Sequence, residues 1–343
     1  MIKISTLLIG VVVLQADIKA KVSGNIRGGA IQIEDNRGKK NSTLALGGNL
    51  GIKTAPIAGV SLATRFFTTN PIFGKDKEES FLGSTNNDYS IVGEAYIEAN
   101  LGKTTIKAGR QLVDTPYAQI DDIGMVPDTF KGYTVTNTDL EDTRVVLAWL
   151  DKWAGFDAPI RDKFTDMQES KDAVVVGGVV YEGIENTNLQ AWYYKLDNAN
   201  FTYLEAGYEK DSFSIGGQYT DQDNGNSAYG LSLSASLDGL TLNSAYNKVD
   251  GVVSNGFGGG PFFTSSEDHT IAETEDQEAL LLGAEYAYDK FTMGVTNVDF
   301  DKGENQTDYI LSYAFNDKMS FDLIYSDMYD DGKMTRVFAN YNF

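Results

Sequence analysis

The feature that most restricts the fold of this chain is an alternation of apolar and polar residues, repeated in many short segments. In residues 228–237 (AYGLSLSASL), Tyr229, Leu231 and Leu233 alternate with glycine and serine, and residues 240–249 show the same period of two. Successive side chains of a β-strand point to opposite faces of a sheet, so this period predicts strands with one apolar face. Each segment has about ten residues, the length that a tilted strand needs to cross a lipid bilayer.

Residues 90–101 (SIVGEAYIEANL) follow the same pattern. Taken as an uninterrupted strand, the segment predicts one face made of Ile91, Gly93, Ala95, Ile97, Ala99 and Leu101. The opposite face would then carry Val92, Glu94, Tyr96, Glu98 and Asn100. A face so rich in polar groups suits a water-filled interior better than a packed core.

The connections between the segments come in two lengths. Short ones fall at 55–59, 101–103, 238–239, 288–290 and 316–318, and longer ones at 70–88, 111–130, 151–172 and 250–278. Tight turns at one end and long loops at the other describe successive hairpins closed into a barrel. The pattern from Ile18 to Phe343 predicts about eighteen strands, of which 131–137 and 143–150 are the least distinct. The predicted fold class is all-β, a transmembrane antiparallel β-barrel with short periplasmic turns and longer extracellular loops.

The placement of aromatic residues favours a membrane barrel over a soluble sandwich, which would show the same alternation. Many of the 19 Tyr and 18 Phe residues lie at the ends of predicted strands. Examples are Phe213, Tyr219, Tyr286, Tyr288, Phe291, Tyr313, Phe315 and Phe321. Aromatic rings at both ends of the strands are typical of the two bilayer interfaces. The last segment, 334–343 (MTRVFANYNF), is amphipathic and ends on Phe343, which predicts recognition by the barrel assembly machinery of an outer membrane.

The composition excludes several function classes. The chain has 49 acidic and 28 basic residues and a formal charge of -21, which disfavours binding to the phosphates of nucleic acids. It has no cysteine, so a disulfide framework and a thiolate zinc site are excluded. The single histidine, His269, makes the common histidine-based catalytic and metal sites improbable, and we expect a surface position for it. No cofactor and no metal site is predicted, and the chain is not expected to be an enzyme.

The N-terminus has the features of a secretory signal. A basic start (MIK) precedes the apolar block ISTLLIGVVVL, and small residues follow at Ala16 and Ala20. We predict a removed signal peptide over residues 1–16, with Ala20 as a second possible cleavage point, and a single barrel domain over 17–343. A first strand or a buried helix is the alternative interpretation of this block.

The segment 109–133 (GRQLVDTPYAQIDDIGMVPDTFKGY) interrupts the alternation after the fifth predicted strand. Two prolines restrict its backbone, and it has several apolar residues that could pack against an inner wall. It predicts a long loop folded into the lumen, with a pore constriction lined by Arg110, Asp114, Asp121, Asp122, Asp128 and Lys131. A solvated outer loop is the alternative, and the aspartates lack the spacing of a calcium-binding loop.

Three stretches carry a resemblance to a known family. They are the segment GRQ, DTP and DDIGMVPDTFKGY within 109–133, NTDLEDTRVVLAWLDKWAG at 137–155, and NGFGGGPFFT at 255–264. The sequence resembles the OprD family of outer-membrane porins, in the branch found in many epsilonproteobacteria. The resemblance implies an eighteen-stranded barrel, sometimes packed as a homotrimer, through which small water-soluble solutes diffuse. It also implies amino acids or small carboxylates as solutes, guided by a ladder of basic residues on the wall.

Alternation places a modest set of basic residues on lumen-facing positions, namely Arg27, Arg65, Lys107 and Arg144. Against the large acidic excess, this set predicts a weak cation preference or a zwitterion-tolerant pore rather than strict carboxylate selectivity. Some of the acidic residues, at 76–80 and 266–278, are expected in outer loops, where they could bind divalent cations that bridge lipopolysaccharide. The run of glycines at 256–260 is expected to be a flexible loop tip.

The predicted function is passive diffusion of ions, amino acids or small carboxylates through the outer membrane of a Gram-negative bacterium. The partners expected are these solutes, outer-membrane lipid and lipopolysaccharide, with no nucleic acid. A structural or adhesive outer-membrane barrel without channel activity is the alternative, because it would share every strand feature.

Overall fold

Antiparallel pairing links each long strand of the protein to the next long strand along the chain. The computed structural model describes residues 19–73, 87–223 and 225–343. The strands are β1 (Ala20–Glu34), β2 (Lys40–Thr54), β3 (Val60–Phe73), β4 (Tyr89–Leu101), β5 (Thr104–Gln111), β6 (Thr129–Asn137), β7 (Thr143–Ala154), β8 (Thr165–Asp166), β9 (Val174–Ile184), β10 (Thr187–Lys195), β11 (Asn200–Lys210), β12 (Phe213–Asp221), β13 (Ser227–Leu237), β14 (Leu240–Asp250), β15 (Glu278–Tyr288), β16 (Phe291–Phe300), β17 (Gln306–Asn316), β18 (Met319–Asp327) and β19 (Lys333–Asn342). One turn of 3₁₀ helix, Tyr329–Asp331, precedes β19.

The sheet closes on itself because β1 pairs with both β2 and β19. Gly28 lies opposite Leu46 on one side and opposite Ala339 on the other. β8 has two residues and pairs only with the end of β7, while β7 and β9 pair directly. Eighteen long strands therefore form a closed antiparallel barrel, which confirms the predicted fold class. The described residues include no helix long and apolar enough to cross a membrane.

The apolar face of the strands points out of the barrel. In β13, Tyr229, Leu231 and Leu233 are 47%, 58% and 46% exposed, whereas Gly230 is buried on the inner face. Leu231 lies opposite Tyr246 of β14, so the two strands present the same outward face. An outer wall of exposed apolar side chains is the arrangement that a surrounding lipid requires.

Exposed aromatic side chains lie near both ends of the barrel wall. Tyr219, Tyr229 and Tyr309 lie near the ends of their strands that adjoin the long loops. Tyr286, Tyr288, Phe291, Phe315, Tyr341 and Phe343 lie near the short turns and are all exposed. The two groups stand where the interfaces of a bilayer would meet the wall.

The strand β4 differs from the sequence expectation because it contains a bulge. Arg65 lies opposite Glu94 but Phe66 lies opposite Val92, so Gly93 is an extra residue without a partner on β3. The bulge reverses the alternation: Ile91 points inward and is 8% exposed, whereas Ile97 points outward and is 52% exposed. The prediction that Ile91 and Ile97 share a face is therefore wrong, because a bulge shifts every later residue to the opposite face.

The two ends of the barrel differ as predicted. Turns of a few residues join the strands at one end, and the long connections 112–128, 155–173 and 251–277 lie at the other. The two least distinct predicted strands are present as β6 and β7. The predicted signal peptide, and the acidic segment at 76–80, lie outside the described residues.

We expect Gly93→Ala to destabilise the barrel, because a Cβ atom at Gly93 would lie 2.7 Å from the ring of Phe67. Phe67 is only 2% exposed, so its ring cannot move aside to make space for the added methyl group. Overpacking of this kind costs about 1–3 kcal/mol in the free energy of unfolding. Gly207→Ala is the matched control, since nothing lies within 4 Å of a Cβ there. Equal unfolding midpoints in urea for the two variants in detergent would contradict the expectation.

Candidate pore constriction

The connection between β5 and β6, residues 112–128, crosses the interior of the barrel and is called the inner loop here. Its Tyr117 is 1% exposed and donates its hydroxyl to Oγ1 of Thr220 on β12 at 2.7 Å. The Tyr117 backbone N–H donates to the hydroxyl of Tyr194 on β10 at 3.2 Å. The rings of Tyr194 and Phe201 pack edge-on against Tyr117, with centroids 5.4 and 5.1 Å away. Because β10 to β12 are separated from β5 and β6 by several strands, these contacts hold the loop across the lumen.

A second anchor ties the inner loop to β1. Arg27 donates through Nη1 and Nη2 to the two carboxylate oxygens of Asp122, at 2.7 and 2.8 Å. Its Nη1 also donates to the backbone carbonyl of Gly124 at 2.7 Å, and its Nε donates to Asn340 at 2.9 Å. A planar guanidinium suits such a two-point contact with a carboxylate. The far end of the inner loop is therefore fixed to the wall where the barrel closes.

The connection between β14 and β15, residues 251–277, also enters the barrel and is called the glycine loop. The N–H of Gln119 donates to the carbonyl of Phe257, and the N–H of Phe257 donates to the carbonyl of Tyr117, both at 3.0 Å. Gly256 has φ +76°, and a Cβ atom there would lie 2.7 Å from the Tyr117 carbonyl oxygen. The glycines thus allow close backbone approach, and the expected flexible tip is instead packed against the inner loop.

The connection between β7 and β9 supports the inner loop from the side of the long loops. The N–H of Asp157 donates to Oδ1 of Asp128 at 3.2 Å, and Asp128 is 0% exposed. Oδ2 of Asp128 is buried without a hydrogen-bond partner among the described residues. Burial, together with the nearby carboxylate of Asp157, raises the pKa of Asp128 well above its usual range. Asp128 therefore lies inside the loop structure and not on the surface of the passage.

A cavity of about 850 Å³ lies above the inner loop, toward the long loops. Its carboxylates are Asp35, Asp121, Asp157, Glu267, Asp268 and Asp331, and its basic side chains are Lys39, Arg161, Arg336 and His269. Six acidic groups against three permanently basic ones leave the cavity with an acidic excess. Charge of one sign in a confined passage selects ions by electrostatics.

Asp121 lies at the floor of this cavity, on the inner loop. Its φ of +31° places it in a backbone conformation that aspartate tolerates better than most residues. Burial raises the pKa of Asp121 to about 7, and the neighbouring Asp157 carboxylate acts in the same direction. Its charge therefore changes near neutral pH.

Arg336 of β19 is a lining residue that the sequence reasoning missed. It is 2% exposed and its Nη2 lies 3.1 Å from carboxylate oxygens of both Glu267 and Asp268. These two acidic residues were expected in an outer loop, but the glycine loop brings them inside the barrel. Burial raises the pKa of each, while Arg336 acts in the opposite direction. The alternation of the last strand, with Val337 outward, was the available signal for an inward Arg336.

His269 lies in the same loop and is not a bare surface residue. Its Nδ1 lies 3.1 Å from the carbonyl oxygen of Glu304, and its Nε2 lies 3.5 Å from a carboxylate oxygen of Asp331. The ring packs against Phe300. Among the described residues, no group of three or more His, Cys, Asp or Glu side chains could hold a metal ion.

Besides Arg27, two more of the four predicted wall residues have partners along the inner face. Nε of Arg65 lies 3.0 Å from Glu94, and Nη1 donates to Asn49 at 2.5 Å. The ammonium of Lys107 lies over the ring of Tyr96, 5.2 Å from its centroid. The ion pair of Arg65 cancels part of the charge that a basic ladder would present.

A second cavity of about 400 Å³ lies on the side of the inner loop that faces the short turns. Arg144 and Asp114 both line it, together with Glu205 of β11. Of the predicted residues, these two therefore share one compartment, and Asp121 belongs to the other.

Arg110 and Lys131 lie at the wall and away from the aspartates of the inner loop. They are opposite each other in the pairing of β5 and β6, on the same face as Tyr133, which is 56% exposed. Nζ of Lys131 lies 2.8 Å from Asp151, and Arg110 donates to the carbonyl of Val92 at 3.0 Å where β5 leaves the wall. The guanidinium of Arg110 also lies over the ring of Phe164 in the β7–β9 connection, 4.5 Å from its centroid, so its role in the constriction stays a prediction, as does that of Lys131.

Comparison with known proteins identifies the family to which this barrel belongs. The family model described as outer membrane porin, OprD family, matches residues 73–303, more than half of the chain. The chain belongs to the OprD family of outer-membrane porins. Comparison with curated protein sequences finds no significant match. The family named from the three sequence stretches is confirmed, while its epsilonproteobacterial branch stays a prediction.

Solved porin structures share the fold at low sequence identity. The outer membrane protein opdK from Pseudomonas aeruginosa is 16% identical, with a TM-score of 0.81, and the match covers 95% of this chain and 98% of that one. A BenF-like porin from Pseudomonas fluorescens Pf-5 is 14% identical, with a TM-score of 0.82 and the same coverage. OccAB1 from Acinetobacter baumannii is 16% identical, with a TM-score of 0.77, over 96% of this chain and 99% of that one.

These findings establish the general role of the protein. OprD-family barrels are outer-membrane proteins of Gram-negative bacteria, so the long loops face the exterior and the short turns face the periplasm. The family is a class of channels, and this porin supports passive diffusion of small hydrophilic solutes through its lumen.

We expect Arg27→Gln to loosen the inner loop, because it removes the contacts to Asp122 and Gly124. The side chain of Asp122 is 44% exposed, so the pairwise coupling should be modest, about 0.5–1 kcal/mol. A double-mutant cycle of Arg27→Gln and Asp122→Asn on urea unfolding measures it, and strictly additive effects would contradict the expectation. Arg37→Gln is the control, since it removes the same charge from an exposed position in the β1–β2 loop.

Proposed function

We propose that this porin is a narrow diffusion channel with a weak preference for cations, and that Asp121 is the main residue of its charge filter. The observation that carries the proposal is the excess of carboxylates around the larger cavity, where the inner loop crosses the lumen. A carboxylate in a confined passage attracts cations more strongly than it would in bulk water, because the surroundings screen its charge less.

The other aspartates of the inner loop have different proposed roles. Asp114 adds negative charge to the cavity on the periplasmic side. Asp122 holds the loop through its ion pair with Arg27, and Asp128 holds the root of the loop through its contact with Asp157. The filter then depends on one half-buried carboxylate, Asp121, and its neighbours keep it in position.

The solute class follows from the balance of charges on the wall. OpdK, one of the similar structures, has been crystallised with vanillate, an aromatic carboxylate. In the present chain Arg27, Arg65 and Arg336 each lie beside a carboxylate of the protein. A free carboxylate solute would have to compete with these internal partners. We therefore propose that small cations and zwitterions pass more readily than small anions.

Residues 1–16 are proposed to be a removed signal peptide, which leaves a single barrel domain over 17–343. The N–H and carbonyl of Phe343 both bond to Gly24 at 3.0 Å, so the last residue closes the seam between β19 and β1. This position fits recognition of the last strand by the barrel assembly machinery. The exposed apolar side chains of the wall support two further proposals. They would contact lipid and lipopolysaccharide, and they would allow association as a homotrimer. Passage of solutes is the only activity proposed.

The charge filter should make selectivity depend on pH. The pKa of Asp121 is raised from its ordinary value of 3.8 to about 7, so the group is neutral below that pH and charged above it. The cation-to-anion permeability ratio of wild-type channels in planar bilayers should therefore rise by roughly twofold between about pH 6 and about pH 8. Reversal potentials in a salt gradient give this ratio.

Asp121→Asn should lower the ratio at the higher pH and flatten its pH dependence. Asp238→Asn is the matched control, because Asp238 lies in the short β13–β14 turn with positive φ, which asparagine also tolerates. A pH dependence that survives in Asp121→Asn would remove Asp121 from the filter. An absence of open-channel current from wild-type protein would overturn the channel proposal itself and favour a structural or adhesive barrel.

A further inference from the structure

The two cavities of the lumen meet at one pair of residues. The larger cavity faces the exterior and includes Asp331, whereas the smaller one faces the periplasm and includes Arg144. Gln119 of the inner loop and Gly260 of the glycine loop line both cavities. The boundary between the two compartments therefore passes through this pair.

The side chain of Gln119 spans the boundary. Its Nε2 donates to the carbonyl of Gly260 at 3.2 Å and to the carbonyl of Pro116 at 3.3 Å. One amide group thus connects the backbones of the inner loop and the glycine loop at the boundary between the two cavities. Neutral hydrogen bonds of this kind make only a small net contribution to stability, so they can break and re-form during solute passage.

The backbone on both sides of this contact is held firmly. The N–H of Gln119 bonds to Phe257, and the adjacent Ala118 is 1% exposed. Gly260 has φ +76°, and the side chain of Asn255 occupies the space that a Cβ atom at Gly260 would need. Within this frame, the long unbranched side chain of Gln119 is the part that can rotate without moving either loop.

We infer that Gln119 is a latch between the two cavities: its side chain narrows the passage while bound to Gly260 and widens it when the bond breaks. The latch sets the size of the solutes that pass. The inference rests on the proposed channel function and extends it, because a neutral amide limits size without contributing to charge selectivity. Asp121 selects by charge, and Gln119 selects by size two residues away.

Gln119→Ala should raise the single-channel conductance by roughly twofold, since a wider passage carries more hydrated ions. The cation-to-anion permeability ratio should stay near its wild-type value, because no charge is removed. Gln32→Ala is the matched control: Gln32 is exposed and lies opposite Ser42 and Thr335 in the register of the outer wall. A conductance of Gln119→Ala no larger than that of Gln32→Ala would overturn the latch.

The absence of cysteine from the chain permits a second test. A single Gln119→Cys variant, reconstituted in bilayers, is treated with a maleimide too large to cross the pore, added to one side at a time. Labelling should occur from either side, because position 119 borders both cavities. His269→Cys should be labelled only from the exterior and Gln190→Cys only from the periplasmic side, since each lines one cavity. Labelling at position 119 from one side only would overturn its place at the boundary.

The failures of the two proposals can be distinguished. If wild-type protein conducts and Asp121→Asn shifts the reversal potential, but Gln119→Ala leaves conductance unchanged, the latch alone is lost. If wild-type protein passes no current, the channel proposal and the latch fail together.

Discussion

The structure depends on the requirement that every backbone N–H and C=O group inside a lipid bilayer has a hydrogen-bond partner within the protein. Pairing of β1 with β19 meets this requirement by leaving no free strand edge. Closure with eighteen long strands in turn encloses a lumen too wide for wall side chains to fill. Loops then have to narrow it, and the buried anchor Tyr117, bonded to Thr220 on the opposite wall, shows how one loop is held inside.

The architecture could be predicted from patterns that run along the chain. Features that depend on how two strands pair could not. Alternation, segment length and loop length are all read along the chain, so the strand count and the inward loop were within reach of the sequence. A bulge belongs to a pair of strands, and Gly93 of β4 gives no local sign that it lacks a partner on β3. The partners of Arg110 and Lys131, Phe164 and Asp151, were missed for a similar reason. Both bases stand at strand ends, where the register with neighbouring strands decides the direction of a side chain.

The charges of the candidate site show the same limit over longer distances. Arg27 and Asp122 are 95 positions apart in sequence, and Arg336 is 68 positions from Asp268. The sequence identified Arg27 and Asp122 as lining residues but not as partners of each other, and it did not identify Arg336 at all. Since a paired base adds little field to the lumen, the partners decide the sign of the selectivity. The acidic excess around the larger cavity comes from the inward-folded connections, which bring Asp121, Asp157 and Glu267 to its lining.

The proposed charge selection by Asp121 and size selection by Gln119 are coupled, because the same loop contacts hold both residues. Asp121 and Gln119 lie two residues apart on a segment held by the glycine loop on one side and by the β7–β9 connection on the other. The charge state of Asp121 depends on burial beside Asp157, which belongs to a different loop from its own. Loosening the contact between the loops would hydrate Asp121, lower its pKa and release the Gln119 side chain at the same time. The packing between the loops is therefore what would hold both proposed selectivity residues in place.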